Sequence, residues 1–370
     1  MRHLLLPFIV SLILSACHNG RADNDRSDSS SDSTPDSIAL RPTRAETLTL
    51  ALAGDMMLGT DFPDESRGAY LPVDSGMHLL DDCRDIFRRV DLACGNLEGV
   101  LGHAGKPKPC YNPSLCFTFR MPEYLVRPLV DAGFDYMNLA NNHAGDFGRD
   151  GAKSSLKVLT DNGISAAGLL EEAPYAIVEK NGVKVGFTGF TTLELCPSVN
   201  DYADLERIIG EMRPKCDVIV VSMHAGGEGS AYSHVTREKE VYHGWPRGNV
   251  HEFAHKAIDL GADIIWGHGP HVLRGAEVYK DRLILYSLGN FCTPMKMGIV
   301  GATGQAAIAE VTIDSDGRFR TGQLHSFIQQ RGRGPVADKT NASARQIKAL
   351  SEKDFPESAL ELTAEGKMNY

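Results

Sequence analysis

Apolar positions along the chain fall into two recurring patterns. Short, nearly continuous apolar runs cover residues 48–53, 90–94, 136–140, 183–190, 218–222, 264–266 and 283–286. Runs of this length predict buried β-strands. Between them, residues 77–89, 122–131, 151–162, 202–212 and 250–260 carry apolar side chains at three- and four-residue spacing, the period of an amphipathic helix. Strands alternating with helices predict an α/β architecture whose sheets are covered by helices. Asn181-Gly182 between two β-rich runs predicts a hairpin. Lys280-Asp281 and Asp314-Ser315-Asp316-Gly317 mark turns between later strands. No internal repeat is evident. From about residue 331 the composition shifts to Arg, Gly, Ala, Lys and Ser. A helix is expected near 342–351, and residues 331–370 are read as an appended C-terminal helical element.

The N-terminus breaks this pattern. After Met1-Arg2-His3 comes an apolar run over residues 4–16, too short to span a bilayer but laid out as a signal peptide. It ends in Leu14-Ser15-Ala16-Cys17, which matches the bacterial lipobox at all four positions. Residues 1–16 are therefore expected to be a lipoprotein signal peptide and Cys17 the lipidated residue. Several acyl chains on one residue hold a protein on a membrane where one chain does not. Residues 17–45 are rich in Asp, Ser, Asn and Arg and bury too little apolar surface to fold, so a flexible tether is expected there. His18, not Asp, follows the cysteine, so one common inner-membrane retention signal is missing. The expected location is the cell envelope, anchored through Cys17 on the periplasmic or surface side.

About 320 residues remain for one large domain or two smaller ones. The chain of 370 residues has a formal net charge of −10, which argues against a nucleic-acid partner. Eight cysteines are present; with Cys17 lipidated, an odd number remains and at least one is unpaired. Cys110 and Cys116 are close enough in a Pro-rich loop to form an envelope disulfide. Cys94 and Cys292 lie in apolar runs and are read as core. No Cys-x-x-Cys pair or mixed Cys/His zinc spacing is present.

Candidate chemistry collects after the strands, at whose carboxyl ends open α/β sheets bind ligands. The first run leads into Gly54-Asp55, the second into Gly95-Asn96-Leu97-Glu98, and the third into Asn141-Asn142-His143. Later runs lead into His224 and into Gly267-His268-Gly269-Pro270-His271. Any one of these is an ordinary turn or cap residue; their succession points to a metal site. Carboxylate, amide oxygen and imidazole together suit Mn, Fe or Zn as a divalent ion.

The order resembles the calcineurin-like metallophosphoesterases. It departs from them at Met57, where their first His stands, at Glu98, where they carry Asp, and in the wider spacing of the last His pair. These departures match instead the CapA family of capsule (poly-γ-glutamate) synthesis proteins. The resemblance rests on Gly54-Asp55-Met56-Met57, Asn96-Leu97-Glu98, Asn138-Leu139-Ala140-Asn141-Asn142-His143, Gly261-Ala262-Asp263, Gly267-His268-Gly269-Pro270-His271-Val272 and Tyr286-Ser287-Leu288-Gly289-Asn290-Phe291. It covers roughly residues 48–310. Two differences remain: Ala225-Gly226-Gly227-Glu228 follows His224 where the family more often has Trp-Gly-x-Glu, and Arg274 stands where Gln is usual. Both are expected to alter the substrate pocket rather than the metal.

The resemblance implies a metallophosphatase-like four-layer sandwich over residues 46–330, two mixed β-sheets flanked by helices. It implies Asp55, Glu98, Asn142, His224, His268 and His271 as ligands of one or two ions, with Glu98 as the bridge and His143 as a catalytic acid or base. Glu228 and Arg247 are candidate substrate contacts, each weighed against an ordinary solvated loop. Ser287 and Asn290 are expected to hold the His268/His271 loop, and the Lys106–Pro109 segment is read as surface. The implied role is synthesis, export or tailoring of an extracellular polymer, or action on a small anionic substrate, within a polymer synthesis complex. Metal-dependent hydrolysis of a phosphoester or amide, epimerisation at an α-carbon, and a non-enzymatic polymer-binding scaffold are the competing readings.

Overall fold

A computed structural model describes residues 44–63, 69–110, 117–295 and 297–370. The expected signal peptide, Cys17, Cys116 and nearly all of the expected tether lie outside the described residues. The first third holds β1 (Thr47–Met56), β2 (Leu92–Leu97), the short pair β3 (Val100–Leu101) and β4 (Arg120–Met121), β5 (Tyr136–Asn138) and β6 (Ser165–Ala167). The middle holds β7 (Tyr175–Lys180), β8 (Val183–Phe190), β9 (Val218–His224), the hairpin β10 (Glu240–Tyr242) and β11 (Trp245–Gly248), β12 (Ile264–His268), β13 (Ala276–Tyr279) and β14 (Arg282–Leu285). The last part holds β15 (Asn290–Cys292), β16 (Gln305–Asp314), β17 (Phe319–Gln330), β18 (Gly334–Ala337), β19 (Glu361–Leu362) and β20 (Lys367–Asn369). The α-helices are α1 (Arg84–Arg89), α2 (Val126–Ala132), α3 (Gly148–Asp161), α4 (Tyr202–Met212), α5 (Val250–Asp259) and α6 (Ala342–Asp354).

The first sheet takes its strands from both ends of the chain, in the order β19-β20-β17-β16-β1-β2-β5-β6, with β15 against β1 and β18 against β17. The second takes only middle strands, in the order β13-β14-β12-β9-β8-β7. Each has a parallel centre and antiparallel neighbours, so both are mixed. Leu50, Leu52, Phe187, Val220, Ile264 and Trp266 pack between the two sheets. The outer face of the first sheet is covered by α1, α2 and α3 through Phe87, Leu129 and Leu159. The outer face of the second is covered by α4 and α5 through Ile208, Met212 and Phe253. This is the expected four-layer sandwich of helices, sheet, sheet and helices. Burying each large apolar side chain contributes roughly 1.5–3 kcal/mol.

Local chemistry accounts for the element ends. Asp201 accepts a hydrogen bond from the Ala203 N–H at the start of α4, and Asn249 accepts one from Glu252 N–H at the start of α5; such caps contribute about 1 kcal/mol each. Asn181 and Gly182, and likewise Lys280 and Asp281, all have left-handed φ, the turn type that matches strand twist in two-residue hairpins. The helix expected over 77–89 is broken: a 3₁₀ segment (Val73–Leu80) precedes α1, because Cys83 adopts a non-helical φ of −128° between them. Pro128 is tolerated in the first turn of α2, where its missing N–H would have had no helical partner.

Residues 331–370 are not an appendage. They carry α6, as expected, but also β18, β19 and β20 of the first sheet. Ala344, Ile347, Leu362 and Met368 fill the core between the sheets. Composition misleads there because the segment alternates buried and exposed positions over very short strands. Cys94 and Cys292 are fully buried and unpaired, as expected of core residues, and Cys110 is disulfide-bonded. Among the described residues no helix is long and apolar enough to cross a membrane.

Candidate metal centre

The parallel register sets the site. Asp55 on β1 lies beside Asn96 on β2, which lies beside Asn138 on β5. On the second sheet, His224 at the end of β9 lies beside His268 at the end of β12. The Trp266 indole N–H donates to Ala53 O across the interface at 2.8 Å and ties the two rows together. Asp55 Oδ1 is consequently 3.7 Å from both His224 Nδ1 and His268 Nδ1.

A ladder of amides orients the carboxylate. Asn138 Nδ2 donates to Asn96 Oδ1 at 2.8 Å, and Asn96 Nδ2 donates to Asp55 Oδ1 at 2.8 Å. Asn141 Nδ2 donates to Asn96 Oδ1 and to Leu97 O. Ser222 Oγ lies 2.8 Å from His268 Nε2, so that ring turns Nδ1 toward Asp55, the arrangement by which outer partners aim metal ligands. Gly54 lets the chain pass the β14–β15 connection closely: a Cβ there would lie 1.9 Å from Gly289 O. His271 adopts a left-handed φ of 57°, an uncommon state for a non-glycine residue that functional sites retain. That turn brings its Nδ1 within 3.0 Å of both Asp55 Oδ2 and Asn290 Oδ1, and its Nε2 within 3.6 Å of Glu98 Oε1.

Two groups of metal-competent side chains result, Asp55 with His224 and His268, and Asp55 with Glu98 and His271. Asp55 is common to both. Glu98, which the sequence resemblance assigned as the bridge, also reaches a histidine of each group, its Oε1 lying 3.6 Å from His271 Nε2 and 3.9 Å from His224 Nε2. The separations among His224 Nδ1, His268 Nδ1 and Asp55 Oδ1 are 3.1, 3.7 and 3.7 Å. A point equidistant from these atoms lies about 2.0 Å from each, the length of a metal–ligand bond. Both Glu98 oxygens, Asn142 Oδ1 and His224 Nε2 are buried without a hydrogen-bond partner. Buried polar atoms are rarely left so, and a cation would satisfy the three oxygens. The donor set thus fits a divalent ion.

Burial drives the Glu98 carboxyl well above its usual range, and the neighbouring Asp55 charge adds to this. Burial works against the Asp55 charge as well, but His271, His268 and Asn96 outweigh it and hold Asp55 below its usual value. Burial lowers His224 well below the usual imidazole value, helped by His268, and lowers His268 to about 4. Burial opposes protonation of His271 too, yet Glu98 and Asp55 carry it up to about 10. His224 and His268 are thereby neutral, the form of imidazole that metal ligation requires, whereas Glu98 and His271 would have to give up protons to an incoming ion.

The centre opens into a cleft of about 730 Å³ whose lining includes Asn142, His143, Glu228, Arg247 and His271. His143 stands apart from the two ligand groups. Its Nδ1 lies 2.8 Å from the buried Asp146 carboxylate, and its ring packs on Phe119 at 4.5 Å. Asp146 also accepts from Phe119 N–H and Lys108 Nζ. Lys108 lines the cleft, so the loop read as surface contributes to the site. Glu228 and Arg247 form an ion pair at 3.2 Å, and Arg247 Nη2 is buried with no partner. Ser287 Oγ donates to Val272 O, holding the His268/His271 loop. Arg274, expected in the pocket, is instead 1% exposed and sits behind the loop, with both terminal nitrogens on Glu240. Reasoning from strand ends passed over Asp146 and Ser222; the only sequence signal for Asp146 is its place three residues after His143.

Fold and site together define an α/β/β/α sandwich with a candidate metal centre where parallel strands of both sheets end. The chain belongs to the bacterial capsule synthesis protein PGA_cap family, whose model matches residues 49–295. It is 33% identical over 264 residues to the capsule biosynthesis protein CapA of Bacillus anthracis, covering 66% of this chain and 60% of that protein. It is 31% identical over 264 residues to the PGA biosynthesis protein CapA of Bacillus subtilis (strain 168), covering 66% and 63%. The chain thus spans about three fifths of the length of these curated relatives. Among solved structures, a phosphatase from Mycoplasma pneumoniae aligns with a TM-score of 0.48 at 13% identity, over 77% of this chain and 95% of that one.

Proposed function

We propose that this protein is a divalent-metal-dependent, hydrolase-like enzyme that tailors an anionic glutamate polymer during capsule synthesis, held at the cell envelope by a lipid on Cys17. The observation that carries this reading is the set of unpartnered buried polar atoms at the cleft: Glu98 Oε1 and Oε2, Asn142 Oδ1, His224 Nε2 and Arg247 Nη2. The first three await a cation. The last awaits an anion, and a guanidinium suits a carboxylate, which every residue of poly-γ-glutamate carries.

Asp55, Glu98, Asn142, His224, His268 and His271 would hold the ion. When bound, a divalent metal supplies Lewis acidity toward a carbonyl or phosphoryl oxygen. Arg247 would orient the polymer through a free α-carboxylate, its own position fixed by Glu228 and by donation from Nε to Gly226 O. His143, with Nδ1 committed to Asp146, presents Nε2 for proton exchange. In amide cleavage the C–N bond breaks, water supplies the new hydroxyl, and His143 delivers a proton to the leaving nitrogen. Other members of a polymer synthesis complex would supply the substrate.

The test is metal analysis of the purified chain, followed by incubation with poly-γ-glutamate and measurement of chain length and new amines. Bound transition metal and cleavage that is lost in Asp55→Ala and His143→Ala are expected. Protein that binds no metal, and whose thermal stability is indifferent to chelator, would sink the proposal. Solvent deuterium entering the α-carbon without cleavage would replace hydrolysis by epimerisation.

A further inference from the structure

A second cluster of metal-competent side chains lies away from this centre. The first turns of α5 read His251-Glu252-Phe253-Ala254-His255, the His-Glu-x-x-His spacing that puts two imidazoles on one helix face. Their ring centroids are 4.1 Å apart. Glu277 on β13 reaches the same spot, with Oε1 2.8 Å from His255 Nε2. One ligand atom from each of the three lies within 4.8 Å of the others.

Ordinary hydrogen bonding explains only part of this cluster. It accounts for His255, Glu277 and the Tyr286 hydroxyl that donates to Glu277 Oε1 at 2.6 Å. It leaves His251 Nε2 buried with no partner. The rings are held in place by stacking, His255 on Tyr279 at 3.9 Å and His251 near-parallel to Tyr286 and Phe355. Burial, helped by the His255 charge, lowers the His251 pKa and favours the neutral imidazole that binds metal. A depression of about 490 Å³, with Arg237, Lys256 and Asp259 on its rim, opens onto the two histidines. The two cations there are already paired, Arg237 with Glu357 and Lys256 with Glu206.

We propose that His251, His255 and Glu277 form a second metal site, separate from the Asp55 centre, that takes Zn²⁺ and pins α5 to β13. Two imidazoles and one carboxylate are a zinc ligand set, and imidazole-rich sites select zinc over magnesium or calcium. The site is structural rather than proteolytic. Glu252, which would be the general base of a metalloprotease with this spacing, is committed to the helix cap: its N–H donates to Asn249 Oδ1 and its Oε2 accepts from Asn249 Nδ2. This reciprocal pair is a variant of the capping box in which the Asn249 side-chain amide, not its backbone N–H, donates to Glu252.

The test uses the full chain, stripped with chelator and titrated calorimetrically with Zn²⁺ alone. Asp55→Asn/Glu98→Gln/His224→Asn, which leaves neither ligand group of the first centre intact, is expected to keep one equivalent of zinc. Adding His251→Asn and His255→Asn is expected to remove that equivalent. Glu277→Gln preserves shape and a partner for Tyr286, and is expected to weaken this zinc at least roughly tenfold while leaving the circular dichroism unchanged. Should the combined variants not fold, His251→Asn alone is expected to lower total zinc by one equivalent. The proposal is overturned if the first-centre variant takes up no zinc. It is overturned equally if the His251 or Glu277 variants bind as much, and as tightly, as their parents.

Discussion

Removing the Glu240 carboxylate, as in Glu240→Ala, is expected to destabilise the protein by about 4 kcal/mol. Glu240 and Arg274 are 6% and 1% exposed. Arg274 Nη1 donates to Glu240 Oε1 at 2.8 Å and Nη2 to Oε2 at 2.7 Å, and Gly227 N–H donates to Oε2 at 2.7 Å. Truncating Glu240 leaves a buried guanidinium whose remaining bond is from Nε to Tyr232 O, together with an orphaned amide. Breaking one partner of a buried pair costs about 3–5 kcal/mol, whereas exchanging both for neutral groups is often close to neutral. Arg274→Gln, the residue usual in the family, combined with Glu240→Gln should therefore recover most of the loss. Urea denaturation of the wild type, Glu240→Gln, Arg274→Gln and the variant combining them forms a double-mutant cycle, with an expected coupling of at least about 2 kcal/mol. A coupling near zero, or a Glu240→Ala cost under about 1 kcal/mol, would show that the pair does not hold the Gly226–Glu228 loop. The reasoning would then be refuted.

Three further outcomes are expected. His271 keeps its proton up to about 10 when folded and releases it near 6.5 when unfolded. A raised folded pKa adds stability that is complete below the unfolded value and lost as pH rises through the folded one. Metal-free protein should therefore melt progressively lower from about pH 6.5 to 10, and His271→Asn melts that fall as steeply would contradict this. Gly54→Ala would drive a Cβ against Gly289 O, and should cost at least about 1–3 kcal/mol and weaken metal binding, measured by denaturation and chelator competition. Trp245, 74% exposed on the cleft rim, should leave stability within about 0.5 kcal/mol when changed to Ala while raising KM for the polymer. An unchanged KM would remove Trp245 from substrate contact.

Much of the architecture was legible in the sequence because it rests on local periodicity. The apolar run at 183–190 is β8 and the amphipathic stretch at 202–212 is α4, each with its expected ends. The strand-end residues Asp55, Glu98, His224, His268 and His271 were legible for a similar reason: they follow apolar runs, and parallel strands bring such ends to one side. Within residues 331–370 the helix was legible but the strands were not, since β18 and β20 are only four and three residues long. Strands that short acquire an apolar face only from the sheet they join.

The sequence by itself determined the element types, the signal-like N-terminus and the set of donors. Tertiary structure decided how those donors divide. The meeting of the two sheets put both Asp55 and Glu98 within 3.9 Å of His224 and of His271. Packing placed Asp146 behind His143 and Glu240 around Arg274. Helix α5 laid His251 and His255 against Glu277, a carboxylate 22 residues beyond His255. Period and turn chemistry act between near neighbours along the chain. Shared ligands and buried partners depend on residues tens to hundreds of positions apart, whose meeting is set only when the sheets close on their common core.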